Sequence, residues 1–384
     1  MPPLELAVRI VAFLLGVAIV IRTVLGAVRT FVLPRGSNDR VTRFVFLAMR
    51  WGFDRLAGPG QPYARRDRVQ AYYAPVSLIV LPAFWLVLVW LGYALSYWAI
   101  GTGSIGEELR LSGSSLLTLG SVTSGLPLAT ALEFSEAAVG LLLLALLISY
   151  LPTIYSAFSR RELLVNMLEV RADSPPSAVV MLTRFQRLHG LDALHEQWVQ
   201  WEQWFSELEE THSSLPVLVF YRSQQPDHSW VNAAGAIMDS AALTRAAVDI
   251  PLDVQADLTI RAGYLALRRI SDFFFVPYDP NPRPTDPISL SREQFDHALE
   301  VIASAGIALK ADRDQAWRDF CGWRVNYDAV LRALERLTMA PQSWWERPMI
   351  SAYATDEPEV REAHPGEEAA RLGNVPGVPQ GDGS

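Results

Sequence analysis

Two long apolar runs without a charged residue stand out in the first half of the chain, at 76–100 and 137–159. Each is longer than the roughly 20 residues that an α-helix needs to cross a hydrocarbon core about 30 Å thick. The sequence therefore predicts two membrane-spanning helices, joined by a segment that begins and ends on the same side of the membrane.

The joining segment, 101–136, is too apolar for an ordinary solvated loop, yet glycines and a proline interrupt it repeatedly. Non-helical backbone at membrane depth persists only where protein buries it or water lines it, because an unsatisfied amide costs several kcal/mol in hydrocarbon. We therefore expect a re-entrant loop, which enters the membrane and leaves it on the same side.

A span, a short helix, a polar loop and a second span follow one another in prokaryotic potassium channels, and residues 76–160 resemble that unit. The family's filter reads Thr-Val-Gly-Tyr-Gly-Asp, and Thr118 stands here where the preceding pore helix ends. The resemblance implies an all-α membrane protein that assembles as a homotetramer around a pathway for a monovalent cation. In this sequence the filter positions are occupied by Ser121, Val122, Thr123, Ser124 and Gly125.

Besides Ser121 in place of the threonine, the filter departs from the family at three positions. Thr123 stands for the first glycine, Ser124 for the tyrosine and Leu126 for the aspartate, so that only Gly125 remains of the two glycines. A β-branched residue with positive φ costs about 1–2 kcal/mol. Selection of potassium by a ladder of carbonyls does not follow from these residues. Their hydroxyls are still suited to line a polar passage, and the alternative is a nonconducting multimeric sensor or scaffold on the same arrangement.

Two acids and two helix-perturbing residues complete the candidate site. Acids at an outer mouth concentrate cations, so Glu133 and Glu136 are predicted to form a ring there. Alternatively, Glu133 completes a capping box with Thr130, and Glu136 lies in the first turn of the second span. Gly140 and Pro152 are the gating candidates, and the alternatives for them are close packing and a simple bend.

The basic segment 34–75 sets the predicted orientation. Its excess of arginine places it in the cytoplasm by the positive-inside rule, and the loop then faces outward. Within it, 41–56 has the pattern of an amphipathic helix on the inner membrane surface, where arginines meet anionic lipid.

The first apolar segment, 1–33, is interrupted by arginines. If Arg9 and Arg22 reach opposite interfaces, the helix between them is long enough to cross. An interfacial helix and a signal peptide are the alternatives.

The chain turns soluble over 161–350, which is predicted to be a helical cytoplasmic domain, and 351–384 is an acidic tail too poor in apolar residues to fold. Three tryptophans at three-residue spacing predict a buried helix face, and Ser291 with Gln294 fits a capping box. The predicted helices are 160–172, 176–189, 191–212, 229–247, 253–276, 291–306 and 312–339, and the tryptophans are Trp198, Trp201 and Trp204.

Composition narrows the function classes. A net charge of −8 argues against nucleic acid as a partner, and one cysteine, Cys321, excludes an intramolecular disulfide framework. The histidines lack paired spacing and no GxGxxG occurs, so no metal or cofactor is expected. Neither uncharged span holds an acid or histidine, which disfavours an enzyme. Lys310 is the only lysine among 33 basic residues, which favours a GC-rich bacterial genome and therefore a bacterial inner-membrane protein.

Overall fold

A computed structural model describes residues 3–31, 40–58, 60–101, 103–188 and 190–346, and the predicted tail at 351–384 lies outside them. In this described part the chain is all-helical and contains no β-strand, which confirms the predicted fold class at that level. The helices are α1 (Pro3–Phe31), α2 (Arg40–Ala57), α3 (Tyr63–Ala71), α4 (Tyr73–Ile100), α5 (Ile105–Leu116), α6 (Pro127–Ala172), α7 (Ala178–Leu188), α8 (Leu194–Ser214), α9 (Trp230–Ala247), α10 (Val254–Phe273), α11 (Arg292–Ser304), α12 (Arg313–Arg324) and α13 (Asp328–Thr338).

Three helical stretches are long and apolar enough to cross a membrane, and they contain α1, α4 and α6. Helix α1 packs antiparallel to α4 through small residues. A Cβ at Gly16 would lie 2.5 Å from the carbonyl oxygen of Gly92, so both backbones approach as closely as glycine allows. At the other end of the contact, the Arg9 guanidinium lies 5.9 Å from the centre of the Trp98 ring, near the end of α4.

Helix α6 is 46 residues long and extends without interruption from the predicted second span into the half of the chain that is predicted to be soluble. The sequence predicts a span ending at 159 and a separate helix at 160–172, whereas the structure has one helix of about 69 Å. Residues 160–172 contain no glycine or proline, so nothing in the backbone ends the helix where its apolar run ends. The predicted domain boundary therefore falls inside a helix.

The predicted soluble half is built around α9, whose residues are buried except Arg245. Helices α7, α10, α12 and α13 pack around it. The predicted tryptophan face is buried on α8, and the capping box of Ser291 and Gln294 is present at the start of α11. The predicted helix 312–339 is two helices, α12 and α13, separated by a turn at 325–327.

Arg161 joins α6 to the soluble half. Its side chain is buried and donates to the carbonyl oxygens of Leu218 at 2.8 Å and Tyr221 at 2.7 Å, while Glu162 neutralises its charge. Both carbonyls belong to the short 3₁₀ helix Pro216–Phe220 and the residue after it. This cluster fixes the lower part of α6 against the domain.

His212 completes this cluster as a neutral imidazole. Its Nδ1 lies 3.0 Å from the carbonyl oxygen of Leu208, which needs a donor, and its Nε2 lies 3.2 Å from the guanidinium of Arg161, which needs an acceptor. Burial, with a smaller effect of the Arg161 charge, lowers the pKa of His212 well below its usual value. Protonation of His212 therefore opposes folding.

This depressed pKa predicts that stability falls in acid. Below about pH 6.5 the unfolded chain binds a proton at His212 that the folded chain does not, so stability is full above that pH and decreases below it by up to about 1.4 kcal/mol per pH unit. The thermal midpoint of the full chain should decrease between pH 7.5 and 5.5, and less so in His212→Gln, whose amide oxygen still accepts from Arg161. His195→Gln is the control, because the His195 imidazole is exposed and its surface contact with Asp253 contributes little to stability, and it should behave as the wild type. Equal pH dependence in His212→Gln and the wild type would contradict the assignment.

Candidate functional site

Helix α5 packs between α4 and α6, and its end lies far along both of them. The Ser112 hydroxyl is 2.9 Å from the carbonyl oxygen of Trp90, which is about 15 Å from the end of α4 at 1.5 Å per residue. The backbone of Leu116 lies against Gly140, about 20 Å from the start of α6. The chain therefore descends along the two candidate spans through α5 and must return to reach α6.

The two ends of α5 are defined by local hydrogen bonds. A capping box of Ser104 and Glu107 begins the helix. At its other end the amide of Leu119 donates to the carbonyl oxygen of Ser114 at 2.8 Å, and Thr118 between them has a φ of +56°. This closure is the Schellman arrangement, in which glycine is the usual residue. Thr118 adopts it at a cost of about 1–2 kcal/mol, so the surrounding contacts must hold it.

The returning loop, 117–126, is held against α5 by the buried hydroxyl of Ser114. That hydroxyl accepts from the Val122 amide at 3.1 Å and from the Ser121 hydroxyl at 3.2 Å, and donates to the Val122 carbonyl oxygen at 3.4 Å. All three hydrogen-bonding positions of one serine are used by the loop. Ser114 is thus a positioning residue that the sequence analysis missed.

The loop is also held against α6, by Glu133. A carboxylate oxygen of Glu133 accepts from the amide of Ser124 at 2.9 Å. Helix α6 begins at Pro127 after Leu126, so the predicted capping box of Thr130 and Glu133 is wrong. The capping box would start the helix after Thr130, whereas Pro127, a residue favoured at the first helical position, starts it three residues before Thr130.

The strained positions of the loop differ from those that the resemblance implies. Positive φ occurs at Thr118, Gly120 (+63°) and Gly125 (+68°), while Thr123, which stands for a filter glycine, has no positive φ. Residues 121–124, between the two glycines, therefore have no positive φ. Of the predicted filter residues, Ser121, Thr123 and Gly125 are exposed and Val122 and Ser124 are half-buried.

Glu136 is fully buried inside the chain, facing α4 and α5. The Tyr97 hydroxyl donates to one of its carboxyl oxygens at 3.0 Å, and the Ser112 hydroxyl bonds the other. Within one chain this side chain does not reach the surface that a ring of mouth acids requires. Instead Glu136 joins three helices at the level of α5, a role that its sequence context alone did not indicate.

The two gating candidates lie in different surroundings. Any side chain at Gly140 would collide with Leu116, since a Cβ there would lie 2.5 Å from a carbonyl oxygen. This is the close packing that the sequence left as the alternative for Gly140. Pro152 is exposed inside α6, which continues past it.

Comparison of the chain with protein-family models, with curated proteins and with solved structures gives no match. The interpretation of the loop therefore rests on its own geometry and chemistry.

The contact at Gly140 predicts that Gly140→Ala separates α5 from α6. The added methyl meets backbone rather than a mobile side chain, and such overpacking typically costs about 1–3 kcal/mol. The thermal midpoint of the full-length protein should fall. Gly106→Ala is the control on α5, because a Cβ there meets nothing within 4 Å, and its midpoint should be unchanged or higher. Equal midpoints for the two variants would exclude the close contact.

Proposed function

We propose that this chain is the subunit of a homotetrameric cation channel in which loop 117–126 lines the ion pathway. The observation that carries the proposal is the depth of the loop. It starts beside Gly140, about 20 Å along α6, yet its side chains are largely exposed. Exposed polar backbone at that depth is stable only beside water or other protein, and a water-filled pathway between copies supplies both.

Rotational symmetry explains why one chain presents an open loop. A single descending helix and loop cannot enclose a pathway, whereas copies around an axis along the membrane normal can. Large apolar side chains are exposed along α6, among them Phe134, Leu141 and Ile148. In the assembly, lipid and neighbouring subunits cover them.

The chemistry of the loop favours cations. The carbonyl end of α5 carries partial negative charge and precedes the loop directly. Hydroxyl oxygens of Thr118, Ser121 and Thr123 add neutral ligands suited to a partly hydrated monovalent ion. Because Thr123 stands for a filter glycine and Ser124 for the tyrosine, we propose weaker discrimination between potassium and sodium than a carbonyl ladder gives.

The soluble half supplies a route to gating. By the positive-inside rule the basic segment 34–75 lies in the cytoplasm, and the helical domain then lies there too. Helix α6 enters that domain unbroken and is fixed by Arg161. A rearrangement of the domain therefore moves the pathway-side helix, with Pro152 as the bending point.

A nonconducting scaffold is the second candidate, and the loop backbone favours it. Positive φ occurs at Thr118 and not at Thr123, which stands for the first filter glycine, and Glu136 is used for internal packing. A multimer held together by α4, α5, loop 117–126 and α6 would display the helical domain without passing ions.

Flux through liposomes tests the proposal. The wild-type protein should carry potassium and sodium, and Thr123→Arg should abolish both fluxes because a fixed cation in the pathway repels permeant cations. Thr123→Ser keeps the hydroxyl and should retain flux. Mass measurement of the detergent-solubilised protein should give a tetramer for all three proteins.

Two results would overturn the channel. Unchanged flux in tetrameric Thr123→Arg would exclude the loop as the pathway. Absence of flux in a wild-type tetramer would favour the scaffold.

A further inference from the structure

A cavity of about 280 Å³ lies where the candidate spans meet the soluble half. Its walls come from the ends of α1, α8 and α13, from α2, from the start of α4, from α6, from the 3₁₀ helix Pro216–Phe220 and from α10 with the residues that follow it. The cavity is near the lower end of the size range of ligand pockets in proteins. It is separate from loop 117–126, none of whose residues line it.

One part of the cavity is apolar and belongs to the candidate spans. Leu78 and Leu81 face it one and two turns after the start of α4, and Phe31 and Tyr150 close it from α1 and α6. The rings of Phe31 and Tyr150 pack edge to face at 4.3 Å, so this wall is already formed. Protein interiors contain few voids larger than a water molecule, and an unfilled apolar space loses contacts along all its walls.

The other part is cationic. Two arginines of α2, Arg43 and Arg50, line the cavity, and its described lining includes no acid. The guanidinium of Arg43 lies 5.7 Å from the centre of the Phe275 ring and is exposed. Arg50 lies 5.5 Å from the Phe220 ring and gives one of its N–H groups to the carbonyl oxygen of Leu337 at 3.1 Å. Its Nε also lies 3.8 Å from a carboxylate oxygen of Asp54, which is outside the lining and leaves the remaining N–H groups of Arg50 available. A guanidinium has five such donors, so an anion can be bound here as well.

We propose that this cavity binds an anionic phospholipid, with an acyl chain among Phe31, Leu81 and Tyr150 and the headgroup phosphate at Arg43 and Arg50. The order of the two parts matches a lipid at a membrane interface. The apolar walls are inside the predicted spans, and the cations are on the amphipathic helix that follows α1 in the chain. Arginine pairs with phosphate oxygens through two parallel hydrogen bonds.

The lipid would connect the membrane helices with the soluble half. Phe274 and Phe275 face the cavity from the soluble side, and Tyr150 faces it from α6, two residues before Pro152. A bound lipid would therefore contact α6 and the residues after α10 at the same time. The site does not depend on whether the protein conducts ions, since binding is measured without flux.

Native mass spectrometry of the detergent-solubilised full chain tests the site. The protein is exposed to a phosphatidylglycerol or to a phosphatidylcholine with the same acyl chains. The wild type should retain the phosphatidylglycerol in preference. Arg43→Gln with Arg50→Gln should lower that preference about 25-fold, because each arginine near an anionic headgroup contributes a factor of about 5. Arg43→Gln alone should lower the preference for phosphatidylglycerol about fivefold, and this single variant replaces the double variant in the test if the latter does not fold.

Matched controls on α2 separate the site from general attraction to a basic helix. Arg55 is exposed on the same helix but stacks on Trp51, outside the cavity, so Arg55→Gln should keep the wild-type preference. Leu47→Trp fills the cavity wall and should reduce retention of both lipids. Ala48→Trp adds the same side chain at an exposed neighbour outside the lining and should not.

Each of four results would overturn the proposal. They are equal retention of the two lipids by the wild type, an equal loss in Arg55→Gln and the arginine pair, unchanged retention in Leu47→Trp, and displacement of phosphatidylglycerol by glycerol phosphate. The last result would indicate a site for free phosphate rather than for a lipid.

Discussion

The structure depends on the hydrogen bonds that hold α5 and loop 117–126 between α4 and α6. Helix α5 and loop 117–126 run beside α4 and α6, and in the proposed membrane arrangement only protein or water can supply hydrogen bonds to the backbone there. Ser114 satisfies Val122, Glu133 satisfies Ser124, and the closure at Thr118 satisfies the last carbonyls of α5. Glycine at 140 provides the space that lets this arrangement sit against α6.

Helix α6 extends that constraint to the rest of the molecule. It contacts the end of α5 at Gly140, about 20 Å from its own start, lines the cavity at Tyr150 and is joined to the helices after it through Arg161. A helix of 46 residues transmits rotation and tilt over about 69 Å without an intervening loop. Under the channel proposal, the pathway, the lipid site and the helical domain therefore act on the same element.

Periodicity and end signals predicted much of this fold, because they are local. The buried tryptophan face on α8 and the capping box at Ser291 required only spacing along one helix. Contacts between segments were not predictable in this way. Three such contacts depend on which helix faces pack together. They are the approach of Gly16 to Gly92, the hydrogen bonds of Ser114 to the loop, and the burial of Glu136 among three helices. For Glu136, a position near a helix start suggested a solvated acid, whereas tertiary hydrogen bonds made it internal.

The most direct test of the account is whether a modification of the loop from the outside stops ion flux. The only native cysteine, Cys321, suits this test because burial raises the pKa of its thiol to about 11, which leaves little reactive thiolate at neutral pH. Thr123→Cys in liposomes is treated with a membrane-impermeant cationic thiol reagent. The account predicts potassium flux that stops as the cysteine becomes labelled. Unchanged flux through a fully labelled tetramer would contradict it.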